Sequence, residues 1–403
     1  MRLLSPLLVF ASVGCGDGEK DGSSGPPPAA TPEPVVDADG DGTPRAEDCD
    51  DDDPTSTTLA TDGDCDGIIS KDDCDDDNPT ATIRAEDNDC DGVLTEQDCD
   101  DDDGAMSICW KHLSAGEDYT CGITMTDETL CWGRDNYGKL RPPNDAVFET
   151  LSAGTYHTCG LTPEGEAICW GLDDEGQSTP PADARFTMVT TGDNHTCGIT
   201  TDGETLCWGG LWGTATNGRP WLFEDMVFTS IDAGGDVTCG VGAGNSDGHN
   251  SFYCWGYDPP IEYMFCSGDS VSYCTDVKTS GSHVCGLDHT PTGAWSKQGT
   301  ICKGLNRYGQ TGDSDYGWVH AMDVGGSNTC RLFGATPSAP RELACAGKGD
   351  DGLHDIPELP DDHEYTAITM GKGHACALTT EDKAVCWGLN EDGQASQPHA
   401  SVE

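Results

Sequence analysis

The sequence predicts an all-β chain, a seven-bladed β-propeller preceded by an N-terminal irregular Ca-binding repeat array. Three observations predict it. A small-residue Gly turn, a Cys strand, a tight turn and a second Cys strand, usually ending Cys-Trp-Gly, recur seven times between Leu113 and Trp387, with the first Cys at 121, 159, 197, 239, 285, 330 and 376. Strand pairs at a period of about 40 residues mark a propeller or a solenoid. An Asp-rich loop starts at Asp37 and returns at Asp62 and Asp87. The chain also carries 23 Cys, a content that belongs to an oxidising compartment.

The N-terminus agrees with export. Met1-Arg2 precedes an apolar run from Leu3 to Val13, too short to span a bilayer and of the proportions of a signal h-region. The run ends in Ser12-Val13-Gly14-Cys15, which resembles a bacterial lipobox. Residues 1–14 are therefore expected to be a lipoprotein signal peptide and Cys15 the lipidated residue, with an ordinary secretory peptide as the alternative. Removing Cys15 from 23 Cys leaves 22, an even number free to pair. Residues 15–36 are rich in Gly, Ser and Pro and cannot bury a core, so they form a tether. The expected location is the outer membrane or cell surface of a Gram-negative-type bacterium. A net charge of −53 without any Lys/Arg cluster repels phosphate backbones and excludes a nucleic-acid partner. Membrane contact is then expected only through the lipid.

Residues 37–107 form the acidic array. From Asp37 to Asp103 there are 27 Asp and Glu against 3 Lys and Arg, which needs a cation to be neutralised. The loops place Asp at positions 1, 3, 5 and 12, Gly at 6 and a backbone carbonyl at 7, the pattern that wraps Ca2+ in oxygen. The predicted ligands are Asp37, Asp39, Asp41, Thr43 and Asp48; Asp62, Asp64, Asp66, Ile68 and Asp73; and Asp87, Asp89, Asp91, Val93 and Asp98. Short gaps holding Pro54 and Pro79 leave no room for helix pairs. The array resembles thrombospondin type-3 calcium repeats and related acidic repeats of bacterial surface proteins. The bridges Cys49–Cys65, Cys74–Cys90 and Cys99–Cys109 are expected within it. Hard oxygen ligands select calcium, at an affinity of about 0.1 to 1 mM, and the loaded array is expected to act as a stiffened stalk. A solvated acidic tail is the plainer alternative.

Residues 108–403 form the propeller. Cys159 and Cys169 sit symmetrically about Glu164, which makes Pro163-Glu164-Gly165 a three-residue hairpin loop whose last residue needs a left-handed conformation. Gly203, Asp127 and Asp382 occupy the same place in other repeats. That register sets each Cys pair directly across a hairpin and predicts one disulfide per blade: Cys121–Cys131, Cys159–Cys169, Cys197–Cys207, Cys239–Cys254, Cys285–Cys302, Cys330–Cys345 and Cys376–Cys386. Strand alternation puts Trp132, Trp170, Trp208, Trp255 and Trp387 on the blade face opposite the adjacent Cys, as core residues.

The AGxxHT strand, the WG pair and Gly138, Gly176, Gly309, Gly352 and Gly393, six residues after the Trp position, resemble the repeats of the regulator of chromosome condensation superfamily. That superfamily of seven-bladed propellers also includes a secreted bacterial beta-lactamase inhibitor. The chain departs from it at Lys303 and Ala346, which stand in the Trp position, and at Ser280, which stands in the first-turn Gly position. Nucleotide exchange, the nuclear member's activity, is not expected of an exported acidic chain. His157, His195, His283 and His374 share one repeat position and are expected to be structural.

No catalytic motif is present, and the chain is read as a non-enzyme: a binding protein whose calcium-stiffened stalk presents the propeller to a protein or glycan. The candidate ligand-binding residues are Trp212, Trp221 and Phe223 after blade 3 and Tyr257, Tyr263 and Phe265 after blade 4, the second insertion pinned by Cys266–Cys274. Two alternatives stay open: a secreted enzyme inhibitor of the beta-lactamase inhibitor propeller type, and a propeller enzyme acting on polysaccharide.

Overall fold

Middle strands of the repeats are buried, along their whole length in Tyr119–Thr124, His157–Leu161, His195–Thr200 and His374–Thr379, because both of their faces meet neighbouring sheets. In the computed structural model these strands are the centres of seven antiparallel sheets, six of three strands and one of four. The structure describes residues 37–79, 81, 83–88, 90, 95, 99, 108–210, 226–243, 250–257, 259, 263–265, 273–292, 295–312, 317–360 and 363–398. The chain divides into two compact units, Met1–Ile69 and Ser70–Glu403. In the first, residues 37–69 run through turns, an isolated bridge between Asp48 and Thr58 and the disulfide Cys49–Cys65.

Each blade has an inner, a middle and an outer strand. Blade 1 is Trp110–Ala115, Tyr119–Thr124 and Thr129–Gly133; blade 2 is Thr150–Ala153, His157–Leu161 and Ala167–Gly171; blade 3 is Phe186–Thr191, His195–Thr200 and Thr205–Gly209. Blade 4 is Val227–Gly234, Val237–Ala243 and Asn250–Gly256, with Tyr263–Phe265 as a fourth strand. Blade 5 is Tyr273–Thr279, His283–Thr292 and Trp295–Gly304; blade 6 is Trp318–Gly325, Asn328–Gly334 and Glu342–Gly347; blade 7 is Tyr365–Met370, His374–Thr379 and Ala384–Gly388.

The hairpin register is the one the Cys spacing predicts. In all seven blades the two Cys are opposed across the middle and outer strands, at a Cα separation of 4.0 Å. Gly165, Gly203, Asp127 and Asp382 close their hairpins at φ 79°, 82°, 71° and 58°. The second unit also contains Cys74–Cys90 and Cys99–Cys109. Cys274 is disulfide-bonded; its expected partner Cys266 lies outside the described residues. In blade 5 the longer Cys-to-Cys connection continues the ladder out to Thr292 opposite Trp295.

Disulfide and indole serve different interfaces. Trp170 of blade 2 packs against the Cys121 side of blade 1, and Trp255 of blade 4 against Cys197 and Cys207 of blade 3. The two blades that lack Trp at the repeat position are filled otherwise. In blade 5, where Lys303 is exposed, Phe252 reaches in from blade 4 so closely that a Cβ on Gly286 would stand 1.6 Å from its ring. In blade 6, Arg331 replaces the small residue beside the Cys, shares a face with Ala346, and lies fully buried over the blade 5 disulfide. Its Nη2 is 3.1 Å from Cys302 Sγ and donates to Gly312 O at 3.3 Å, and its Nε donates to Thr300 Oγ1 at 2.8 Å.

Candidate functional site

The first candidate is the acidic array. In loop one the carboxylates of Asp37, Asp39 and Asp41 bring oxygens within 4.8 Å of one another. The turn at Gly40 and Gly42, with φ of 80° and 101°, lets their N–H groups donate to Asp37 Oδ1 and Oδ2 at 2.7 and 3.2 Å. Thr43 N–H donates to Asp41 Oδ1 at 2.6 Å. Asp39 Oδ2 and Asp48 Oδ2 are buried without a hydrogen-bond partner. Desolvation, followed by the charges of Asp41, Asp48 and Asp37, pushes the Asp39 carboxyl above the ordinary range. Orphaned carboxylate oxygens among like charges are what a hard cation would relieve, so these residues fit a calcium ligand set.

Loop two repeats the arrangement. Asp62, Asp64 and Asp66 converge within 4.8 Å. Asp62 is fully buried and accepts from Thr57 Oγ1 at 2.6 Å, Cys65 N–H at 2.8 Å and Gly67 N–H at 2.9 Å. The Thr57 bond foremost holds its carboxyl below the ordinary range. Ile68 N–H donates to Asp66 Oδ1 at 2.7 Å. Asp73 belongs to the second unit, where it is buried and its Oδ2 has no partner. Of loop three, Asp87 is described and buried; Asp89, Asp91, Val93 and Asp98 lie outside the described residues, as do residues 1–36 with Cys15.

The second candidate is the channel along the propeller axis, a cavity of about 670 Å3 lined by the inner strands of all seven blades. It is ringed by the residue two places before the first-turn glycine: Ser114, Ser152, Thr190, Asp232, Lys278, Asp323 and Thr369 in blades 1 to 7. The ring fastens neighbouring blades. Six of the seven side chains accept a backbone N–H from the next blade: Ser114 from Ala153 (2.9 Å), Ser152 from Thr191 (3.0 Å), Thr190 from Ala233 (2.8 Å), Asp232 from Thr279 (2.7 Å), Asp323 from Met370 (2.7 Å) and Thr369 from Ala115 (2.9 Å). Lysine has no acceptor, so the link from blade 5 to blade 6 cannot form. The N–H that such a link would use, that of Val324, is satisfied within blade 6 by its neighbour Asp323, whose Oδ1 accepts it at 2.9 Å.

Asp232, Lys278 and Asp323 are thus adjacent, with Lys278 Nζ 3.9 Å from Asp232 Oδ1. Desolvation pushes Asp232 up to about 7, against the pull of Lys278, and raises Asp323. Desolvation opposes the charge on Lys278, but Asp232, Asp276 and Asp323 outweigh it and hold the ammonium above its ordinary range. Asp276 itself accepts from Ser230 Oγ at 2.6 Å. The sequence signal for this ring was its fixed distance from the glycine. It went unread because four residue types fill it.

The repeat histidines are a further set of fasteners. His157, His195, His283 and His374 are buried, and each Nε2 lies 2.7–2.8 Å from a Thr Oγ1 of the next blade: Thr196, Thr238, Thr329 and Thr120. Thr196, Thr329 and Thr120 spend their own protons on the carbonyls of Gln177, Gln310 and Gln394. Those imidazoles therefore carry hydrogen on Nε2, and Nδ1 of His157 and of His374 is left buried without a partner. Desolvation accordingly lowers His157 to about 3 and His195, His283 and His374 to about 4. Ser280, in the glycine position, hydroxyl to imidazole, meets His283 Nδ1 at 2.9 Å. Between blades 4 and 5 the pair is apolar, Val237 with Val284.

Of the predicted ligand-binding aromatics, Tyr257 is 64% exposed at the exit of blade 4. Tyr263 and Phe265 sit in the fourth strand of that blade, opposite Tyr253 and Ser251, rather than in a protruding loop. An alternating aromatic segment suits an edge strand. Trp212, Trp221 and Phe223 lie outside the described residues. Unanticipated by sequence, Tyr137 and Tyr308 are 59% and 50% exposed, each beside a glycine of the exit loops, and Tyr137 packs edge-on against Tyr156 at 5.8 Å.

Two stretches, 148–177 and 365–394, match the family model of the Regulator of chromosome condensation (RCC1) repeat. Each runs from an aromatic residue at or just before the inner strand, Phe148 in blade 2 and Tyr365 in blade 7, to the glutamine after the exit-loop glycine. No curated protein matches the chain. Among solved structures, the CRINKLY WD40 ectodomain of the Arabidopsis thaliana receptor kinase ACR4 aligns with 71% of this chain and 97% of its own, at 20% identity and TM-score 0.54. The entire ectodomain of the Physcomitrella patens receptor kinase CR4 aligns over 70% and 74%, at 20% and 0.53. Prp20p from Saccharomyces cerevisiae aligns over 72% and 85%, at 16% and 0.51. The likeness is one of fold, an RCC1-like repeat propeller.

Proposed function

We propose that the chain is an exported, lipid-anchored binding protein in which calcium-loaded acidic repeats carry a disulfide-stapled propeller that recognises a protein or a glycan. The observation that carries this reading is the set of exposed aromatic residues, Tyr137, Tyr257 and Tyr308, on exit loops at one end of a rigid blade ring. Amphipathic rings held by a rigid scaffold are the usual make-up of a recognition surface. The channel carboxylates support it too, since Asp232 and Asp323 hold blades together. Prp20p, which shares the fold, is described with binding properties towards Gsp1p and histones. Ten disulfides among the described residues support an oxidising location, and the orphaned oxygens of Asp39 and Asp48 support calcium.

The test is affinity capture from envelope and neighbouring-cell extracts with the oxidised protein, with calcium and with chelator, followed by reconstitution with the purified partner. One partner that binds the wild type and is lost from the Tyr137→Ser, Tyr257→Ser, Tyr308→Ser triple variant is expected. Capture that ignores these three residues contradicts the reading.

A further inference from the structure

The channel offers more than blade fastening requires. Ser114, Thr190 and Thr369 each accept one backbone N–H and keep an O–H to donate. Lys278 has three N–H donors and, among the described residues, an ion pair with Asp232 at 3.9 Å and no hydrogen bond. Asp323 spends both oxygens on backbone N–H groups, and Asp232 spends Oδ2, leaving Oδ1 towards the channel. Within this ring the unspent groups are therefore mostly donors, with the Asp232 carboxylate as acceptor beside them, while Glu117 and Asp193 place further carboxylates at the mouth.

The mouth is open over these residues. In the position after the first-turn residue, blades 7, 1 and 3 carry Lys372, Glu117 and Asp193, whereas blades 4, 5 and 6 carry Gly235, Gly281 and Gly326, at φ of 58°, 81° and 53°. At these three turn positions no side chain stands over the wall that holds Asp232, Lys278 and Asp323. On blade 2, Tyr156 lines the cavity and is braced by Tyr137.

We propose that the central channel is a binding site for a neutral sugar of one or two rings. Its hydroxyls accept from Lys278, Ser114, Thr190 and Thr369 and donate to Asp232, and its apolar ring face lies against Tyr156. An anion is opposed by the carboxylates facing Lys278, and an organic cation cannot accept from the donors that are unspent. A sugar hydroxyl does both and brings no charge. The cavity of about 670 Å3 falls in the size range of small-molecule sites. The proposal rests on the binding-protein reading and deepens it.

The test titrates the calcium-loaded full chain, by calorimetry and saturation-transfer NMR, with glucose, galactose, mannose, N-acetylglucosamine and their β-linked dimers, and with putrescine as the amine probe. Saturable one-to-one binding of at least one sugar is expected, weakened about tenfold or more by Tyr156→Ala and by Lys278→Arg. Lys278→Arg keeps the charge that neutralises the aspartates but fills the channel. Tyr156→Ala lies at the mouth, outside the blade-fastening ring, and keeps the test open if the first variant does not fold. No sugar binding, sugar binding indifferent to both variants, or saturable binding of putrescine alone would overturn the proposal. A protein partner lost with the exit-loop tyrosines but indifferent to Lys278→Arg, together with failed sugar titrations, removes the channel site and leaves the broader reading standing.

Discussion

Arg331 takes the room that an indole fills elsewhere. In blades 1, 2, 3, 4 and 7 a tryptophan rests on the neighbouring disulfide; in blade 6 the position is Ala346 and the guanidinium lies over Cys302 instead. Arg331→Gly opens a cavity and is expected to cost about 3 kcal/mol, with Arg331→Gly/Ala346→Trp restoring most of it in denaturant unfolding. Equal losses in the single and double variants would contradict the exchange. The substitution at 346 was legible in the sequence, but its compensation was not, because the residue that fills the gap sits on another strand. The histidines give a second prediction. Unfolded imidazoles titrate near 6.5, whereas His374 titrates at about 4 in the fold, so below pH 6.5 the unfolded chain takes up more protons and stability falls until about pH 4. Asp232, raised to about 7, works the other way, gaining stability as pH falls from 7 towards 4. Variants separate the two: His374→Gln should lose roughly 2 kcal/mol less than the wild type between pH 7 and 4.5, measured by unfolding at both values.

Hairpin geometry governs the elements. Asp382 holds φ at 58° where Gly165 and Gly203 stand in other blades, and its carbonyl accepts Trp110 N–H at 2.8 Å at the seam between blades 7 and 1. Asp382→Gly keeps that bond, relieves the left-handed strain and should raise stability by about 0.5–1 kcal/mol, while Gly165→Ala should lower it by about 1–2 kcal/mol. Thermal unfolding of the pair checks the sign. The seam is closed by ordinary blade contacts: a Cβ on Gly371 would stand 2.2 Å from Gly116 O, as one on Gly116 would stand 2.4 Å from Gly154 O. The Cys register was legible because three-residue hairpins fix which residues oppose. The fourth strand of blade 4 was not, since Tyr263–Phe265 is three residues long and gives no period to read.

At the scale of the whole molecule, a charge of −53 and loops of converging aspartates make calcium binding the property by which the proposed role of the acidic repeats is tested. Calcium at millimolar concentration should reduce the radius of gyration in solution scattering, and Asp39→Asn/Asp48→Asn should weaken calcium binding about tenfold by calorimetry. A scattering profile unchanged by calcium would remove the metal role proposed for the acidic repeats. Among the described residues, the exit-loop face carries the exposed tyrosines on which the proposed recognition of a macromolecular partner rests. The most direct measurement places a photocrosslinker at Tyr257 on that face, or at Glu164 on the hairpin tips of the opposite face, and exposes each protein to the captured partner. Crosslinking from Tyr257 and none from Glu164 is the predicted result. Crosslinking from Glu164, or equally from both, would contradict recognition through the exit-loop face.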